Sequence, residues 1–128
     1  MQKKVLLVNQ QGSELSELVR LQGYCVDEAK SVQKALKAIL DGNYALVVSD
    51  LSVAGLQTLD NVKAFCPGIP VVLTSEEHIL TQREAIELGA HDLIEKSALV
   101  DEQLRKIKTI LNQPMHAVAE TKIGRKAA

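Results

Sequence analysis

The stretch Ala45-Leu46-Val47-Val48-Ser49-Asp50 decides how the rest of the chain is read. Four aliphatic residues in a row, two of them β-branched, form a run too short for a helix and without polar alternation, as in a strand covered on both faces. It ends on a carboxylate. Working outward, four similar runs recur at Val5 to Val8, Tyr24 to Asp27, Val71 to Thr74 and Asp92 to Glu95. Each is followed by a longer segment with helical spacing, and strand–helix alternation is the pattern of a parallel sheet built from βαβ units. The first, third and fourth runs are nearly continuous and read as central strands; the mixed second and fifth read as edges.

The intervening apolar positions share helical faces: Leu15, Leu18 and Val19; Val32, Ala35, Leu36 and Ile39; Leu56, Leu59 and Val62; and Val100, Leu104, Ile107 and Leu111. A fourth helix is expected over Ile79 to Leu88, its start capped by Thr74-Ser75-Glu76-Glu77, which fits a capping box. Gly23, Gly42 and Gly89 stand where helices should stop in a left-handed cap. Five βα units are too few for a closed eight-stranded barrel. They predict an α/β fold, a doubly wound five-stranded parallel sheet of flavodoxin-like order 2-1-3-4-5 in three α/β/α layers.

Composition narrows the function. The chain has 128 residues, room for one domain. Its 15 Lys and Arg against 16 Asp and Glu give a net charge of −1, which argues against nucleic-acid or anionic-membrane binding by this domain. Tyr24, Tyr44 and Phe65 are the only aromatics, so platforms for stacking bases or a flavin are scarce. Cys25 and Cys66 are too few for a disulfide framework and are expected to be reduced and buried. No run is long and apolar enough to span a membrane, and Val5 to Val8 is too short for a signal peptide; a soluble, cytoplasmic protein is expected. His78, His91 and His116 do not pair at metal-ligand spacing.

Doubly wound sheets place their chemistry beyond the carboxyl ends of the strands, at the switch point. Read there, the chain offers Asn9, Gln10 and Gln11 after the first strand, Asp50 after the third, Thr74 and Ser75 after the fourth, and Lys96 after the fifth. A carboxylate nucleophile, a hydroxyl and an ammonium together suit an acyl-phosphate site. A standing Asp50–Lys96 ion pair that needs no phosphate is the simpler alternative.

Lys4-Val5-Leu6-Leu7-Val8, Val47-Val48-Ser49-Asp50-Leu51, Ile69-Pro70-Val71-Val72-Leu73-Thr74-Ser75 and Gly89-Ala90-His91-Asp92-Leu93-Ile94-Glu95-Lys96 resemble the receiver domain of bacterial response regulators, over about residues 3 to 112. The resemblance implies Asp50 as phosphoacceptor, with Thr74 and Lys96 as the phosphoryl-binding and switch residues. It also implies a sensor histidine kinase or phosphotransfer protein as partner, and dimer or output contacts through the fourth helix, fifth strand and fifth helix.

The chain departs from that family at several positions. The acidic pair that holds magnesium is replaced by Asn9 and Gln10, so no cofactor is expected beyond weakly held Mg²⁺. Leu93 stands where the family has its switch aromatic, Val53-Ala54 replaces Met-Pro, Thr58 replaces a glycine and Ser97 a proline. The expected function is therefore a non-enzymatic receiver-type module of a phosphorelay. A phosphorylation-independent pseudo-receiver is the alternative, and a small flavin- or nucleotide-binding domain a more distant one. Gly12-Ser13 could offer backbone amides to a phosphate in that last case. Residues 1–112 are expected to form the domain. Residues 113–128, opened by Gln113-Pro114 and closing in a basic stretch, read as a tail or linker too short for a DNA-binding output domain.

Overall fold

The computed structural model describes residues 3–8, 14–51 and 55–112. Asn9, Gln10, the Gly12-Ser13 pair, Val53-Ala54 and the 113–128 segment with His116 lie outside the described residues. The elements run β1 (Lys4–Val8), α1 (Leu15–Leu21), β2 (Cys25–Ala29), α2 (Val32–Asp41), β3 (Leu46–Asp50), α3 (Gly55–Phe65), β4 (Val71–Ser75), α4 (Gln82–Leu88), β5 (Asp92–Glu95) and α5 (Val100–Leu111). All pairings are parallel and the order is β2-β1-β3-β4-β5, as the strand–helix alternation and the run of apolar strands require.

The pleat sorts the strands into two cores. Leu6, Val8, Val47, Leu73 and Leu93 pack under Ala35 and Ile39 of α2, Leu59 and Val62 of α3 and Ala85 of α4. Val5, Leu7, Leu46, Val48, Val72 and Ile94 face Leu15 and Val19 of α1 and Ile107, Ile110 and Leu111 of α5. Every residue of β3 and β4 is buried, whereas β2 shows solvent at three of its five positions, the central-versus-edge contrast that composition implied.

Several local expectations are corrected. α4 starts at Gln82, and its capping box is made by Thr81 and Glu84: the Glu84 N–H donates to Thr81 Oγ1 at 3.1 Å and the Thr81 N–H to Glu84 Oε1 at 2.9 Å. The Thr-x-x-Glu pattern occurs twice, and the copy at Thr74 is engaged in the β4 ladder, where its backbone has strand partners. Gly89 ends α4 at φ 110, but Gly42 ends α2 in an extended conformation. What requires glycine at 42 is space, because a Cβ there would stand 2.8 Å from the Tyr44 ring. On α3, Leu56 is exposed and Thr58 is fully buried in its stead. Cys25 is exposed on the edge strand and Cys66 is only half-buried, its thiol reaching the Ile39 carbonyl at 3.9 Å.

Candidate functional site

Asp50 and Thr74 occupy the last rungs of the central ladder and are register partners. They lie within the strands where the sequence placed Asp50 just beyond its strand, because the pairing continues one residue further: the Leu51 N–H donates to the Thr74 carbonyl at 2.8 Å. By alternation with Val48 and Val72, both side chains belong to the sheet face under α1 and α5. Lys96 follows Ile94 on the same face, and its backbone N–H extends the β5 pairing by donating to the Ser75 carbonyl at 2.8 Å. Three residues far apart in sequence are thus delivered to one end of one face by strand register alone.

Their side chains meet. The Thr74 hydroxyl donates to Asp50 Oδ1 at 3.2 Å, and Lys96 Nζ lies 2.9 Å from that same oxygen. Asp50 is 5% exposed, so its charge has lost most of its water and depends on these donors. The Lys96 stem emerges to solvent, and its ammonium also stands 3.7 Å from the exposed Glu76 carboxylate. Glu76 was not singled out by sequence. The signal for it was its place one residue past the end of β4, next to an ammonium that only folding brings near.

Leu93 is 4% exposed and packs with Leu73, Ala85 and Ala90, a filled aliphatic core position. Next to it, Asp92 ties three elements together: Gln82 Nε2 of α4 donates to Asp92 Oδ1 at 2.8 Å, and Lys106 Nζ of α5 lies 3.7 Å from that oxygen while donating to the Leu93 carbonyl at 2.8 Å. Ile86 and Leu88 of α4 and Leu99 at the start of α5 are exposed.

Among the described residues no three His, Cys, Asp or Glu side chains group as a metal site, and no helix is long and apolar enough to cross a membrane. Receiver domains bind Mg²⁺ weakly at their phosphorylation site. Here the donor set fits it poorly: Asn9 and Gln10 are neutral amides, and an ammonium already stands on the Asp50 carboxylate. Hard divalent cations prefer anionic oxygen.

The response regulator receiver domain family matches residues 9–109. The chain is 32% identical over 111 residues to the transcriptional regulatory protein ZraR of Escherichia coli, covering 84% of this chain and 25% of that protein. It therefore spans only a fraction of the length of such relatives. Among solved structures, the receiver domain of NtrX from Brucella abortus superposes with a TM-score of 0.77 at 28% identity, covering 86% of this chain and 99% of that one. The beryllofluoride-activated receiver dimer of NtrC4, a protein of Aquifex aeolicus, gives 0.75 at 28% identity, covering 84% and 95%. Matched by one family over most of its length, and sharing the fold of that family's solved members, the chain belongs to the response regulator receiver domains, the signalling modules of two-component systems.

Proposed function

We propose that Asp50 is the phosphoacceptor of this receiver and that Thr74 and Lys96 are its phosphoryl-binding residues. The observation that carries this reading is the convergence of a hydroxyl and an ammonium on one oxygen of a nearly buried carboxylate. In the step proposed, an Asp50 oxygen attacks phosphorus of a phosphohistidine on a sensor kinase or phosphotransfer protein. The P–N bond breaks, and the imidazole leaves with its electron pair and takes up a proton. Lys96 and Thr74 then turn from the carboxylate to the phosphoryl oxygens, where they supply charge and hydrogen bonds without large movement.

The output surface in this reading is α4, β5 and α5, which Gln82, Asp92 and Lys106 tie together and where Ile86, Leu88 and Leu99 are exposed. Receiver domains interact with histidine kinases and can dimerise, and a second copy or an output partner would cover these side chains. Residues 1–112 form the working module in this reading, with 113–128 as tail or linker. The flavin- or nucleotide-binding alternative gives way to the family assignment.

A second reading is favoured by one observation. The Asp50–Lys96 pair is already closed and Leu93 already fills its core position, which suits a pseudo-receiver that presents one fixed surface. Treatment with a small phosphodonor followed by intact mass separates the two. One added phosphoryl group, absent in Asp50→Asn, is the expected result; no adduct under any condition sinks the phosphoacceptor reading and leaves the pseudo-receiver.

A further inference from the structure

Receiver domains bind Mg²⁺ at the phosphorylation site, and the residues of this chain disagree with that arrangement in a specific way. At the strand ends one carboxylate, Asp50, is nearly buried and touches an ammonium at 2.9 Å and a hydroxyl at 3.2 Å through the same oxygen. The only other carboxylate on this ammonium among the described residues, Glu76, is largely exposed and 3.7 Å away. Asn9 and Gln10, at the end of the neighbouring strand β1 in sequence, bring amides and no charge.

A divalent ion needs anionic oxygens that it can reach without competition. An ion at Asp50 would share a carboxylate whose Oδ1 already accepts from Lys96 and Thr74, and Asn9 and Gln10 would offer it no second carboxylate. One cation already serves the site: Asp50 and Glu76 share Lys96. The exposed Glu76 carboxylate stands 3.7 Å from the same ammonium.

From this we propose that the site works without a divalent metal, with the Lys96 ammonium as the standing cation for Asp50 and for the phosphoryl-type oxyanion that reaches it. The metal claim deepens the phosphoacceptor reading but is measured separately from it. A compact ammonium on a flexible stem suits this role, because its three donors can serve the carboxylate, Glu76 and an incoming oxyanion in turn.

Two measurements on the full chain test this. In the first, Mg²⁺ is titrated to millimolar concentrations while the amide resonances of Asp50, Thr74 and Lys96 are followed by NMR, with potassium chloride at matched ionic strength as reference. The expected result is no saturable shift beyond the salt reference; a saturating, Mg²⁺-specific shift at these amides overturns the proposal. In the second, the chain is treated with phosphoramidate in Mg²⁺ or in EDTA and read by intact mass. Adduct formed to the same extent within about two-fold supports it, and adduct that requires Mg²⁺ overturns it. No adduct in either condition refutes the phosphoacceptor reading alone, and the titration then decides the metal claim by itself.

Discussion

Tyr44 shows how a single residue can be set by its surroundings. Burial pushes its phenol well above the ordinary value of 10.0, helped by its hydrogen bond to Asp27 Oδ2 at 2.7 Å and by the charges of Asp27 and Asp41. Folding therefore favours the protonated phenol. Below about pH 10 both states hold the proton and the group adds no pH dependence; above it the unfolded chain loses the proton first, and stability falls as pH rises. Denaturant unfolding should show this alkaline loss, and Tyr44→Phe should reduce its slope; an unchanged slope would assign it elsewhere. Thr58 poses the opposite case, a fully buried hydroxyl which, like that of Ser49, has no hydrogen-bond partner among the described residues. Leaving such a group unsatisfied costs about 1–3 kcal/mol. Thr58→Val keeps the shape and removes the hydroxyl, and should be neutral or stabilising by about 1 kcal/mol in urea unfolding; a clear destabilisation would reveal a partner for that oxygen.

Among the elements, α4 is the one whose start the sequence misplaced, and the reason is competition between two identical local signals. Thr74-x-x-Glu77 and Thr81-x-x-Glu84 are equally good capping boxes by pattern. Only the first lies in a segment whose backbone is claimed by a fully buried strand, and that tertiary claim is invisible in a window of four residues. Thr81→Ala should therefore destabilise by about 1 kcal/mol, with amide exchange rising at Glu84 and the first turn of α4. Thr74→Ala should leave those amides protected, and the reverse pattern would return the cap to Thr74. Leu56 and Cys25 failed for a related reason. A helical face and an apolar residue in a strand say which side can be buried, not how far cover extends, and α3 turns Thr58 inward while β2 lies at an edge.

For the whole molecule, charge placement matters more than total charge. A net charge of −1 described an ordinary domain, but the chain lacks carboxylates at the end of β1, where a metal-dependent site would need them. Asn9→Asp together with Gln10→Asp takes the net charge from −1 to −3 and should raise Mg²⁺ affinity measurably in calorimetric titration. Unchanged binding would mean that these two positions do not border the site. The same scale governs the α4–β5–α5 surface, where Asp92, Gln82 and Lys106 tie three elements into one face.

The sequence by itself determined the order of strands and helices, the doubly wound class and the residues at the strand ends, because hydrophobic periodicity and β-branched runs are local properties that survive into the fold. It carried Asp50, Thr74 and Lys96 as candidates for the same reason: each directly follows or closes an apolar run. Only the tertiary structure decided that Asp50 and Thr74 are register partners, that Lys96 stands on the same oxygen as the Thr74 hydroxyl, and that Glu76 shares that lysine. Those facts depend on ladders between residues twenty or more apart and on the burial that strips Asp50 of water, and neither is written in any short window of sequence.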